Sequence, residues 1–251
     1  MILQSCEDNS ENGIEVPDLF EVGSFTDNGT TVVVYTPHPP QVGYNVLYLQ
    51  VHEGGEALDN LDIDIMPVMH METHSHSSPV ELPGQVREEE YNLYRFAVVF
   101  TMPGSGMHGG WELNISISDD NQPDTRAEGV IETGVEESRR VINFETENGD
   151  RYVLSLVEPE EPETGSNELL LTLHKRESMM SYPPVLDAEF LFEPWMPSMD
   201  HGSGNNIHPV HQQNGHYKGL VNFNMTGDWE LRFEITRNEI DLGQHIFEVQ
   251  F

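Results

Sequence analysis

Apolar residues in this chain come in short bursts. VVVY, NVLYLQV, LDIDI, YRFAVVF and WELNISI alternate with polar positions or run apolar for a few residues. Turn formers such as DNG, EGG, PGSG and ENGD separate them. Alternation of period two, bounded by Gly, Asn, Asp and Pro, predicts strands. No useful stretch repeats apolar residues at helical spacing. Many short strands with turn signals predict an all-β fold of antiparallel sandwich type.

The same order of segments occurs twice. TDNGT (26–30) has a counterpart in TENGD (146–150), and YNVLYLQVH (44–52) in SNELLLTLH (166–174). LDIDIMPVM (61–69) aligns with LFEPWMPSM (191–199), YRFAVVFTM (94–102) with YKGLVNFNM (217–225), and WELNISI (111–117) with WELRFEI (229–235). This order predicts two tandem immunoglobulin-like β-sandwiches from an internal duplication. The expected units are a flexible tail over 1–18, a first sandwich over 19–136 and a second over 137–251. GQHIFEVQF (243–251) is the expected closing strand of the second, and AEGVIETGV (127–135) its counterpart in the first. Trp111 and Trp229 are the expected core anchors.

Charge then narrows the partners. The chain of 251 residues carries 44 Asp and Glu against 11 Lys and Arg, a formal net charge of −33. Phosphate recognition needs clustered cations, so nucleic acid is excluded as an expected partner. Electrostatic docking on anionic lipid is excluded in the same way. The acidity admits two readings: a field that attracts cations, or adaptation to a saline habitat. With one cysteine, Cys6, no internal disulfide, Cys-rich zinc site or iron–sulfur cluster can form.

What composition adds is methionine and histidine. MPVMHMETHSHSSPV holds Met66, Met69, His70, Met71, His74 and His76. MPSMDHGSGNNIHPVHQQNGHY holds Met196, Met199, His201, His208, His211 and His216. Met102 and Met225 end the strands that follow, and GSGMHGG adds Met107 and His108. Eight of the 11 methionines and eight of the 12 histidines lie in these windows, which sets clustering against the default of core packing. A thioether is a soft, neutral donor that suits Cu(I) and binds Zn(II), Mg(II) or Ca(II) poorly. Imidazole binds both copper states. Met and His together, without Cys, point to copper in an oxidising compartment. Imidazole loses metal on protonation, so binding is expected to weaken below about pH 6.

The run Met196-Pro197-x-Met199, His201-Gly202, Gly215-x-Tyr217, Met225-x-Gly227-x-Trp229-Glu-Leu resembles the YtkA-like domain, related to FixH-type proteins. The first half departs from it: His70 and Met71 replace the Asp-His pair, and GSGMHGG is inserted before Trp111. The resemblance implies small β-sandwich modules of bacterial envelopes, linked to copper handling and terminal-oxidase assembly. At the N-terminus, Leu3-Gln4-Ser5-Cys6 followed by acidic EDNSEN resembles the end of a bacterial lipoprotein signal. It implies lipidation at Cys6 and a periplasmic or surface-exposed lipoprotein.

The expected function is therefore an envelope copper-binding protein: a chaperone, buffer or resistance factor with a copper donor or acceptor protein as partner. The expected second-half ligands are Met196, Met199, His201 and Met225, with His216 or His208 as auxiliaries. The first-half set is Met66, Met69, His70 and Met102, with Met71, His74 and His76 nearby. The alternative is a non-catalytic adhesion or scaffold lipoprotein without metal, its methionines serving as packing. A divalent-cation site at Asp59, Asp62 and Asp64 or in EPEEPE (158–163) ranks lower, because alternating aspartates form a strand's solvent face. No HExxH, GxSxG or P-loop is present, and Pro209 spoils HPVH as a helical metal motif, so an enzyme is not expected.

Overall fold

The computed structural model describes residues 19–88, 91–104, 110–119 and 124–251. The expected tail, lipidation at Cys6 and the Met107–His108 pair lie outside the described residues.

Nineteen strands and no helix make up the described chain. The first module holds β1 (Phe20–Asp27), β2 (Thr30–Thr36), β3 (Gly43–Glu53), β4 (Glu56–Ala57), β5 (Leu61–His70), β6 (Ser75–Ser77), β7 (Val80–Glu81), β8 (Tyr94–Phe100), β9 (Trp111–Asp119) and β10 (Thr125–Thr133). The second holds β11 (Val141–Glu145), β12 (Arg151–Glu158), β13 (Gly165–Arg176), β14 (Ala188–Met196), β15 (His201–Gly202), β16 (Ile207–His211), β17 (His216–Phe223), β18 (Asp228–Arg237) and β19 (Ile240–Gln250).

Each module is a sandwich of two antiparallel sheets. In the second, β11-β12-β13-β17-β16 faces β15-β14-β18-β19. Without the outermost β11 and β15, this order reproduces the A-B-E-D and C-F-G sheets of a constant-type immunoglobulin sandwich. In the first, β2-β3-β8-β7 and β5-β9-β10 repeat it, with β1 as the added outer strand and β6 on the free edge of β5. β5 and β14 thus take the C position, β6 and β15 a short C′ position, and β9 and β18 the F position.

Alternation turns one face of each strand inward. In β9 the sequence WELNISISD buries Trp111, Leu113, Ile115 and Ile117, and in β5 it buries Leu61, Ile63 and Ile65 while Asp62 and Asp64 face solvent. Trp111 and Trp229 sit fully buried in the two separate cores. Turn residues act locally in both modules. Asn28 (φ 50°) and Gly29 (φ 86°) close the β1–β2 hairpin with both central residues in the left-handed region that an Asn-Gly pair tolerates. Asn45 and Asn167 each bracket the turn before β3 or β13: Nδ2 donates to Gln41 O and Gly43 O in the first, and to Glu163 O and Gly165 O in the second.

The joint between the modules is tightly tied. Glu136 pairs through backbone hydrogen bonds with Val42 and Pro40. Four residues on, the Arg140 guanidinium donates to the carbonyls of Leu156, Val157 and Pro159, while Arg140 O accepts from Leu156 N and Ser155 Oγ. Further contacts cross between the modules. Ser77 N donates to Met179 O at 2.7 Å and Asn143 Nδ2 to Thr101 O at 3.1 Å. Glu81 accepts from Tyr44 Oη at 3.1 Å and lies in hydrogen-bond contact with His216 Nε2. His174 is buried behind this group, and burial pushes its pKa down to about 4 against the weaker pull of Glu81.

Candidate metal centre

β14 ends at Met196, which pairs with His201 on β15. On the other side of β14, Trp195 pairs with Glu230, so the next step along the ladder sets Met196 beside Trp229. Imidazole, thioether and indole therefore form a row across the C′, C and F strands. The two rings lean together, with centroids 5.9 Å apart and planes at 81°. Strands two places apart lie roughly 10 Å from each other, so the two rings reach toward each other across the strand that carries Met196. The loop that carries Met199 is fixed from both ends: Met199 N donates to Met196 O, and Ser198 donates through N and Oγ to Asp228. The Ser198 hydroxyl holds the Asp228 carboxyl below its usual range.

Two details bear on the donor atoms of this row. His201 Nδ1 lies 2.8 Å from Gly202 O. A carbonyl only accepts, so the neutral ring carries its proton on Nδ1 and leaves the Nε2 lone pair free to ligate. Trp229 Nε1 donates to Met225 O at 3.0 Å, which pins the base of that methionine to the same rim. Gly227 makes the approach of Met196 possible: its φ is 146°, and an added Cβ would stand 2.9 Å from Met196 Cε and 3.6 Å from Sδ.

The first module builds the same row. Met69 on β5 pairs with His76 on β6 and with Trp111 on β9. The His76 and Trp111 rings are 5.5 Å apart at 85°. His76 Nδ1 lies 2.8 Å from Ser77 O, and Trp111 Nε1 donates to Met102 O at 2.9 Å. Gly104 takes the place of Gly227, a Cβ there standing 2.9 Å from Trp111 Cδ1 and 3.5 Å from Met69 Cε.

This equivalence corrects the alignment of MPVM with MPSM. Pro67 and Pro194 both pair with a leucine of the F strand, Leu113 and Leu231, so Met69 corresponds to Met196 and Met66 to Glu193. The shared element is Pro-x-Met, three residues out of step with the repeat read from sequence.

The remaining expected ligands fall into other settings. Met66, Met71, Met199 and Met225 are exposed at 39%, 37%, 59% and 38%, available to a rim, whereas Met69 and Met196 are buried at 2% and 1%. Met102 is partly buried against the first core. His70 is held by Ser75 Oγ at 3.0 Å and Glu112 Oε2 at 2.9 Å. His74 contacts Thr73 Oγ1, and its ring is 6.4 Å from that of His76. His208 Nδ1 accepts from Phe192 N at 2.9 Å, so its neutral ring keeps the proton on Nε2 and presents no free donor there. His216 is drawn into the contact between modules by Glu81 and stacks edge-on against Tyr44. Trp111, Trp229, Gly104 and Gly227 were not visible as site residues in sequence; the repeated Met-x-Gly ahead of each tryptophan is the signal that marks them.

Among the described residues, no group of three or more His, Cys, Asp or Glu is placed to hold a metal. Of the aspartates in the carboxylate reading, Asp59 pairs with Arg87 and Asp62 with Gln85, while Asp64 lies on the solvent face of β5. Donors of the mixed thioether kind are what each rim offers. Among the described residues no helix is long and apolar enough to cross a membrane.

Residues 146–234 match the family model described as YtkA-like, so the second module carries a YtkA-like domain. No curated protein matches the chain. Among solved structures, it is similar to FdeC, an Escherichia coli adhesin, at 13% identity and a TM-score of 0.27, covering 91% of this chain and 65% of that one. It is similar to invasin, a bacterial integrin-binding protein, at 11% identity and 0.26, covering 88% and 39%. Domains 5–6 of the S-layer protein SbsC give 9% identity and 0.30, covering 91% and 99%. The chain thus spans less than two thirds of the first two structures. The fold assignment rests on the strand pairings above.

Proposed function

We propose that the chain is a non-enzymatic copper-binding protein of the bacterial envelope, a carrier or buffer for Cu(I). The reading places Met196 and His201 at the centre of the second site, with Met225 and Met199 at its rim. Met69 and His76, with Met102 nearby, form the counterpart in the first. One observation carries it: the same imidazole–thioether–indole row recurs at the same fold position, each time with the histidine proton parked on a carbonyl and Nε2 left as a donor. Thioether and neutral imidazole select a soft monovalent ion, and the indole face adds a favourable site for its charge. The test is anaerobic Cu(I) titration of the whole chain against Met196→Leu/His201→Asn and Met69→Leu/His76→Asn. Each double variant is expected to lose one equivalent, and unchanged stoichiometry in both defeats the proposal. A lipid anchor at Cys6 and a copper-exchanging partner protein complete the reading, tested by mass spectrometry of the cell-derived protein and by metal transfer to candidate acceptors.

The burial of Met69 and Met196 favours one other reading, a metal-free adhesion or scaffold protein in which these thioethers are packing. Elemental analysis of protein purified from copper-supplied cells separates the two.

A further inference from the structure

His76 and Met102 of the first site line a cleft of about 390 Å³ between the modules. His76, Thr101 and Met102 form one wall, and Phe144, Arg151, Tyr152, Arg176 and Tyr182 of the second module stand opposite. Both segments that carry the first site are held by the second module at the neighbouring residue. Ser77, next to His76, donates to Met179 O, and Thr101, next to Met102, accepts from Asn143 Nδ2. The second row has no such roof among the described residues: Met199 and Met225 stand exposed at its rim, and the hydrogen bonds of the 196–202 and 225–229 segments stay within their own module.

Resting on the copper reading above, we infer that the two sites have different duties: the first is a closed store, roofed by the second module, and the second is the open site that exchanges metal with a partner. An acceptor must displace one donor while another still holds the ion, which requires that it reach the metal. At the second rim an acceptor as large as a protein can do so. At the first, the second module stands across the cleft and holds both segments that carry the site, so an acceptor of that size meets the second module before the metal.

The experiment compares release from two single-site proteins loaded with one equivalent of Cu(I): Met196→Leu/His201→Asn, which keeps the first site, and Met69→Leu/His76→Asn, which keeps the second. Copper is stripped by excess bathocuproine disulfonate, a bulky chelator. Release from the first site is expected to be at least about tenfold slower. Asn143→Ala, a change on an exposed edge strand, is expected to speed release from the first site and leave the second unchanged. Equal rates at the two sites, or an Asn143→Ala effect that is absent or shared, overturns the inference while the copper reading stands. Failure of both proteins and the wild type to bind copper overturns both.

Discussion

The two modules carry the same row of side chains and differ in what stands over it. In the second, the hairpin between Met196 and His201 is short, its loop is exposed, and the rim faces solvent. In the first, the segment from Met69 to His76 is longer, and its far strand is bonded to the neighbouring module. A site is thus fixed by the rung pairing of three strands, and its accessibility by whatever the next module places beside it. The same row can then stand open in one module and covered in the other.

The largest expected effects test whether the rows are equivalent as structure. Trp111→Ala and Trp229→Ala each remove a fully buried indole and the donor to a methionine carbonyl, and each is expected to cost about 3–5 kcal/mol. Differential scanning calorimetry checks this, and a cost confined to one variant breaks the equivalence. The next effect concerns the contact between modules. His174 has a folded pKa near 4 against an ordinary 6.5, so between those values the unfolded chain binds the proton and the folded one does not. Stability from this group is complete above about pH 6.5 and falls as the pH drops towards 4, by roughly 3 kcal/mol. Glu81, held low by His216 and Tyr44 against its burial, acts in the same direction below its unfolded value. Urea unfolding from pH 7 to pH 4 is expected to lose this slope in His174→Gln. The smallest effect separates ligand from packing. Met69→Leu and Met196→Leu conserve volume and are expected to cost less than about 1.5 kcal/mol, yet to abolish Cu(I) binding at their own sites. Thermal unfolding and copper titration of the same samples supply both readings.

Much of the fold was legible because alternation and turn residues act locally. WELNISI and WELRFEI state their own buried faces, and TDNGT and TENGD their own hairpins. The site was only half legible. Met196, His201, Met225, Met69, Met102 and His76 were among the residues expected, but His70 stood in the leading first-half set and His76 among the neighbours. The reason is physical: a cross-strand rung joins residues whose separation depends on loop length, and the two loops differ. The indoles were hidden for another reason. A buried tryptophan announces packing, and the ring that a neighbouring strand sets against it becomes visible only in the fold.

Arg140 anchors the start of the second module without using a carboxylate. Its guanidinium is spent on three main-chain oxygens, neutral acceptors, rather than on any of the many carboxylates. Ions in solution weaken pairs between opposite charges far more than they weaken a cation bound to amide dipoles in a half-enclosed pocket. The start of the second sandwich therefore stays fastened to its own β12 end whether the medium is dilute or briny.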